Sequence, residues 1–238
     1  MTDLRHIRAL LFDVFGSVVD WRGSITRDLT AWGLANGTTA DWEAFARDWR
    51  SHYQPNLEEV RSGRRPFALL DTLHREALNV LLEKYGIHDL SEHQKDHVNS
   101  VWHRLDAWPD SVPGLLRLKA HFTIAPLSNG NVSLLNNMAK HAALPWDLNL
   151  STQWFKAYKP MPETYLGAVQ ALGLEPEQVM MCAAHNDDLK AAQEVGLKTA
   201  FWPRPTEYGL DQNKDMKPTE PWHIVAKDIR DLADQLIG

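Results

Sequence analysis

The 238-residue sequence predicts an α/β fold, a parallel β-sheet core interrupted after its first strand by an all-helical insert. Short apolar runs at Ile7–Val14, Phe122–Leu127, Val179–Ala183 and Lys198–Trp202 each give way to turn or polar residues and then to a helical pattern, and such alternation implies a parallel sheet. Between about Asp20 and Asp110 every periodic segment is helical. The composition, 44% hydrophobic and 24% charged, is that of a globular chain long enough for one sizeable domain or one with a smaller second module.

Element by element, this divides the chain into a core of residues 1–19 and 110–238 and a helical insert of residues 20–109. Ile7–Val14 is short, apolar and followed at once by Gly16 and Ser17, so it reads as a buried strand ending in an aspartate. In the insert, Trp42, Phe45, Trp49 and Tyr53 recur at steps of three or four, as do Leu70, Leu73, Ala77, Leu78 and Leu81 after Pro66. A Ser91-x-x-Gln94 capping box opens a helix carrying Val98, Val101, Trp102 and Leu105. The chain returns through a Trp108-Pro109-Asp110 turn and resumes the strand–helix alternation. Pro203–Pro221, rich in Pro, Lys and Asp, reads as a long surface loop before a last short strand near Ile224 and a closing helix.

Several function classes are excluded at this level. The longest apolar run, Val179–Ala184, is far short of the roughly 18 residues of a membrane span. Met1–Arg8 has no apolar stretch of the secretory kind, so the cytoplasm is the expected location. The single cysteine, Cys182, sits among apolar neighbours and reads as core, and no Cys or His spacing suits a structural zinc site. A net charge of −6 without Lys/Arg runs argues against nucleic acid, so an anionic ligand must be held by a few local cations. Most of the ten tryptophans read as packing residues.

In open parallel sheets, ligands bind at the carboxyl ends of the strands. Four clusters fall there: Asp13-Val-Phe-Gly-Ser17, Ser128-Asn129-Gly130, Lys159-Pro-Met-Pro-Glu-Thr-Tyr165 and Ala183-Ala-His-Asn-Asp-Asp188. Singly, each has an ordinary reading as a turn, a solvated loop or a helix cap. In this order, with a helical insert between the first and second, they form a far more specific pattern.

That pattern resembles the haloacid dehalogenase superfamily, and closely its type II 2-haloacid dehalogenases, over nearly the whole chain. The resemblance rests on F-D-V-F-G-S-V-V-D-W-R at the start, W-R-S-H-Y in the insert, P-L-S-N-G-N, Y-K-P-x-P-E-x-Y and A-A-H-N-x-D-L. It implies a Rossmann-like core with a helical cap, hydrolytic removal of halide from short (S)-2-haloalkanoic acids, no cofactor, and a homodimer; haloacetates, including fluoroacetate, are further candidate substrates, with release of fluoride left open because the C–F bond is strong. It also implies that Ser128 and Lys159 hold the substrate carboxylate and the nucleophile, that Arg50 and Asn129 receive the halide, that Asp188 orients Lys159 and polarises water, and that Tyr165 lines the nucleophile pocket. Ser17 stands where Thr is common and still offers a hydroxyl to Asp13. By spacing alone Arg50 would read as a surface helix arginine, because Arg47 and Arg50 flank the apolar Trp49 stripe.

The residues support a mechanism of their own. A carboxylate at a strand end before a glycine turn exposes an oxygen nucleophile, which makes Asp13 the candidate. The phosphoryl-transferring relatives carry a second Asp as general acid and a further carboxylate for Mg²⁺, where this chain has Phe15 and Ala184. A phosphoryl oxygen leaving group needs protonation and metal neutralisation, whereas halide leaves without a proton. The expected reaction is therefore attack of Asp13 on the halogen-bearing carbon with inversion, without metal, followed by hydrolysis of the aspartyl ester, with Phe15 walling the cleft. Ala183 and His185 depart from the family's Ser and Asn, and His185, with an ordinary pKa near 6.5, is the candidate substitute general base. Asp187 reads as a capping or surface carboxylate. The rival readings are a Mg²⁺-dependent phosphatase of the same fold, a signalling receiver domain, which lacks such an insert, and a non-catalytic homologue that binds a carboxylate.

Overall fold

The computed structural model describes residues 4–238. The first strand, β1 (Ala9–Phe12), is buried throughout. The chain then turns through Gly16 into β2 (Val19–Asp20) and enters a run of helices: α1 (Trp21–Asn36), α2 (Trp42–Ser51), α3 (Tyr53–Arg61), α4 (Leu70–Lys84) and α5 (Glu92–Asn99), the last continued by a 3-10 turn at Ser100–His103. It leaves through β3 (Asp106–Ala107), which pairs antiparallel with β2, Val19 opposite Ala107. The two crossings between the helical segment and the sheet are thus one ribbon.

Local chemistry sets the helix ends. Asp20 accepts from the Gly23 amide to open α1, which stops at Gly37 in the left-handed conformation. The Ser91–Gln94 capping box forms as expected. The Trp42–Tyr53 stripe, read as one periodic segment, divides into α2 and α3 at His52, yet all four aromatic residues stay buried. Helix α1 has no Leu/Val ladder to announce it, and glycines at 23 and 33 weaken its propensity.

After β3 come α6 (Ser111–Lys119), β4 (Thr123–Ser128), α7 (Val132–His141), β5 (Leu150–Ser151), α8 (Pro162–Leu172), β6 (Val179–Ala183), α9 (Asn186–Glu194), β7 (Lys198–Phe201), β8 (Ile224–Val225) and α10 (Ile229–Ile237). The six sheet strands run parallel in the order β5-β4-β1-β6-β7-β8. Strand residues alternate between the faces. Leu10 and Phe12 pack with α6, α7, α10 and the helical segment, while Ala9 and Leu11 pack with Tyr165 and Ala168 of α8 and Leu189 and Ala192 of α9. This is the predicted parallel α/β architecture. Among the described residues no helix is long and apolar enough to cross a membrane.

Register brings the site together. Phe12 lies level with Pro126 of β4 and Cys182 of β6, so the carboxyl ends of three adjacent strands open at one height. Chain connections leave β1 toward β4 on one side and β6 on the other, which makes its end the switch point where a ligand crevice forms.

One expectation is corrected here. Pro203–Pro221 is not simply a surface loop, because Arg204 and Glu207 within it are buried. Arg204 forms a two-pronged ion pair with Asp110 at 2.7 and 2.8 Å and donates to the Ser17 carbonyl at 2.9 Å. Pro, Lys and Asp elsewhere in the stretch disguise these two inward-facing charges.

Candidate active site

Asp13 follows β1 directly, and its amide still donates to the Cys182 carbonyl at 3.0 Å, so the strand's hydrogen bonding fixes its backbone. Its two carboxylate oxygens differ. Oδ1 accepts from Lys159 Nζ at 2.8 Å; Oδ2 accepts from Ser17 Oγ at 2.7 Å and contacts His185 Nδ1 at 2.9 Å. The Ser17 hydroxyl is itself held by the Ala184 amide at 2.9 Å, which aims its proton at Asp13.

Lys159 comes from the loop before α8. Its amide donates to Asn129 Oδ1 at the end of β4, and its ammonium reaches Asp13 and Asp188 Oδ2, the latter at 2.6 Å. Asp188 lies in the first turn of α9, and the Tyr165 hydroxyl donates to its other oxygen at 2.6 Å. All of these groups are buried. Burial alone would raise the Asp13 carboxyl, but the Lys159 ammonium and the His185 ring override it and hold Asp13 ionised far below the usual range. Burial opposes the Lys159 charge too, yet Asp13 and Asp188 keep it above its ordinary value. For Asp188, burial together with the nearby Asp13 charge outweighs Lys159 and raises the carboxyl, which makes it the better proton acceptor of the two.

His185 has both ring nitrogens on carboxylates: Nδ1 on Asp13 and Nε2 on Glu207 Oε2, each at 2.9 Å. Burial would discharge the ring, but Glu207 and Asp13 hold its pKa well above that of an exposed histidine. A ring donating on both sides has no lone pair for water's proton, so the expected general-base role does not match this arrangement. Glu207 is fixed in turn by Trp21 Nε1, which donates to Oε1 at 3.1 Å. Gly16, at φ +86°, makes room: a Cβ there would fall 2.1 Å from the Glu207 carboxylate.

Across the cleft stand residues of α2 and α3. The Arg50 guanidinium lies 4.2 Å over the Tyr53 ring and 5.5 Å from that of Trp21, and its buried Nη1 has no hydrogen-bond partner among the described residues. The Tyr53 hydroxyl accepts from Asn129 Nδ2 at 2.9 Å, and Arg61 donates to the Lys159 carbonyl at 2.9 Å. Phe15 packs edge-on against Tyr53 and Trp102. Between the two sides lies a cavity of about 460 Å³, with Asp13, Phe15, Arg50, Tyr53, Lys159 and His185 in its wall.

Of the residues singled out in the sequence, Asp13, Phe15, Arg50, Asn129, Lys159, Tyr165, His185 and Asp188 line this cavity. Ser17 lies behind Asp13, and Ser128 is buried at the end of β4, where its hydroxyl accepts from the Gly130 amide. Asp187 also borders the cavity while remaining exposed. Sequence reading missed Glu207 and Tyr208; their one signal was position, soon after a strand of a parallel sheet.

In charge terms the centre balances. Asp13, Asp188 and Glu207 face Lys159, His185 and Arg50. A monoanionic substrate adds one negative charge. Expelling one anion while neutralising Asp13 through a covalent bond restores the balance, so the site is suited to displacing an anionic leaving group by Asp13.

A family model of haloacid dehalogenase-like hydrolases matches residues 7–196. (S)-2-haloacid dehalogenase 4A of Burkholderia cepacia is 31% identical over 235 residues, which cover 95% of this chain and 98% of that protein. The crystal structure of a defluorinating L-2-haloacid dehalogenase matches with a TM-score of 0.95 at 47% identity, over 98% of this chain and 96% of the other. A further L-2-haloacid dehalogenase structure matches with a TM-score of 0.95 at 45% identity, over 97% and 99%. The chain belongs to the haloacid dehalogenase-like hydrolases.

Proposed function

We propose that this protein is an (S)-2-haloacid dehalogenase, releasing halide from short 2-haloalkanoic acids and from haloacetates, fluoroacetate among them, to give 2-hydroxy acids. The carrying observation is the state of Asp13, a buried carboxylate kept ionised between Lys159 and His185 at the wall of the cavity. The identities with the haloacid dehalogenases support the same substrate class.

Asp13 attacks the halogen-bearing carbon from the side opposite the halogen, so configuration inverts and an ester of Asp13 forms as halide departs. Arg50 receives the halide, because its Nη1 is buried and lacks a partner. Phe15, where a phosphatase would carry its acid, keeps water from the departing ion, and halide needs no proton. Ala184 stands where a phosphatase would carry its further carboxylate for Mg²⁺, which disfavours the phosphatase reading. Water then adds to the ester carbonyl, giving its proton to Asp188, the carboxylate with the raised pKa. Residues 20–109 act as a cap that encloses the substrate against the core of residues 1–19 and 110–238.

The experiment is halide release from each enantiomer of 2-chloropropionate and from fluoroacetate, with EDTA present, by the wild type and by Asp13→Asn. The expected result is release from the (S)-enantiomer by the wild type alone, with a product of opposite configuration. Absence of halide release alongside Mg²⁺-dependent hydrolysis of phosphate esters would sink the proposal.

A further inference from the structure

The asymmetry of the Asp13 carboxylate has a chemical meaning that rests on the dehalogenase reading and extends it to the second half-reaction. A carboxylate oxygen has two lone pairs in its plane. Those of Oδ2 are both engaged, by the Ser17 hydroxyl at 2.7 Å and by His185 Nδ1 at 2.9 Å. Oδ1 meets only Lys159 Nζ and keeps a lone pair free. Oδ1 is therefore the atom that attacks carbon, and Oδ2 becomes the carbonyl oxygen of the ester with its two donors already in place.

The geometry points to Oδ2 of Asp13, with His185 Nδ1 and Ser17 Oγ, as the oxyanion site for hydrolysis of the ester, and to Glu207 as the positioning residue that holds the His185 ring there as a donor. When water adds to the Asp13 Cγ, the carbonyl electron pair moves onto Oδ2, between the two donors. Water's proton passes to Asp188. The tetrahedral centre then collapses with cleavage of the Cγ–Oδ1 bond, and the alkoxide leaves beside Lys159 and takes up the proton from Asp188; the second proton of the water, left on the new Asp13 carboxyl, is released to solvent, so that Asp13 returns as a carboxylate carrying the water oxygen. Donors fixed before the charge develops need no reorganisation, the condition under which such a site contributes most.

Glu207 matters because of what the first step removes. In the free enzyme His185 faces two carboxylates, Asp13 from the turn after β1 and Glu207 from the loop after β7. Once Asp13 is esterified only Glu207 remains anionic beside the ring. With a neutral side chain at 207, the ring would keep its proton on Nε2 and turn a bare Nδ1 lone pair toward the ester carbonyl, opposing the developing charge. Glu207 is well placed to prevent this, being buried, gripped by Trp21 Nε1, and admitted against the nucleophile turn by the missing side chain of Gly16.

The two half-reactions can be separated by experiment. In Glu207→Gln, mixed rapidly with (S)-2-chloropropionate, the expected result is a burst of about one halide per active site. Turnover then slows by about 100-fold, the cost of a lost oxyanion donor, and intact-protein mass spectrometry with peptide mapping finds the ester accumulated on Asp13. His185→Ala provides the second variant; it is expected to accumulate the same ester, and added imidazole to speed its decay. Burst and turnover falling together in both variants without ester, or turnover within about two-fold of wild type, would overturn the assignment. Failure of the dehalogenase reading itself shows separately, as no halide release from the wild type.

Discussion

Lys159 is the residue on which the electrostatics turn. One ammonium, buried with its two carboxylates, touches Asp13 at 2.8 Å and Asp188 at 2.6 Å, and its backbone is anchored by Asn129. Removing one partner from such a cluster leaves uncompensated buried charge, which costs more than the pairing itself contributes. Lys159→Met is therefore expected to abolish halide release and to lower unfolding free energy at pH 7 by about 3 to 5 kcal/mol. The stability deficit should shrink as the pH falls and Asp188, whose pKa is already raised, takes up a proton. Halide assay and denaturant unfolding at two pH values check both parts; a variant as stable as wild type at pH 7 would contradict this account of the cluster.

At the scale of elements, α4 carries a feature that the site does not explain. His74 faces inward and stacks on Trp102 of the 3-10 turn, with ring centroids 4.2 Å apart, and neither ring nitrogen has a hydrogen-bond partner among the described residues. Burial, with Arg50 of α2 and His103 nearby and only Asp71 opposing, lowers its pKa from 6.5 to about 3. The unfolded chain thus takes up this proton at higher pH than the folded one, so the contribution is intact above 6.5 and is lost as the pH drops. The loss is about 1.4 kcal/mol per unit, or about 2 kcal/mol by pH 5. Other groups act in other windows: His185, shifted upward, above 6.5, and the carboxylates lowered like His74 below about 4. His74→Phe, which keeps the stacking, is expected to flatten stability between pH 7 and pH 5 by about 2 kcal/mol, read from denaturant midpoints at both values.

Elements also differ in how plainly the sequence announces them. Strands β1, β4, β6 and β7 were legible because short, largely apolar stretches before turns leave a mark. Strands β2, β3 and β5 were not, since two residues have no period. Asp13 and Asp188 were legible because each follows the end of a recognisable strand, and Lys159 because it lies in the Y-K-P-x-P-E-x-Y stretch that carries the family resemblance. Glu207 was hidden because its partners, His185 and Trp21, lie 22 and 186 residues away, and its neighbourhood has the composition of an exposed loop.

Across the whole molecule, the polar contacts by which the helical segment and the sheet meet around the cavity include Asn129 to Tyr53 at 2.9 Å, Arg61 to the Lys159 carbonyl at 2.9 Å, and Tyr158 to the Ala68 carbonyl at 2.6 Å. Opening of the cleft at this seam would break and re-form contacts of this kind. Binding of 2-chloropropionate to Asp13→Asn is thus expected to slow amide hydrogen exchange at residues 53–61 and 158–161, with little change in the central strands. Equal protection spread over the sheet would argue that the cleft does not open at this seam.

The β2–β3 ribbon has an evolutionary corollary. Val19 and Ala107 sit opposite each other in an antiparallel pair, so the chain leaves the sheet and returns to it at neighbouring points, about 5 Å apart. A segment whose ends adjoin can be exchanged for another of different length without moving its host. Asp13, Lys159 and His185 all remain with the host, while Arg50 and Tyr53 travel with the segment. Grafting residues 21–105 of a relative onto this ribbon would exchange one wall of the cavity and leave the covalent chemistry where it is, a route by which one catalytic frame diversifies its substrates.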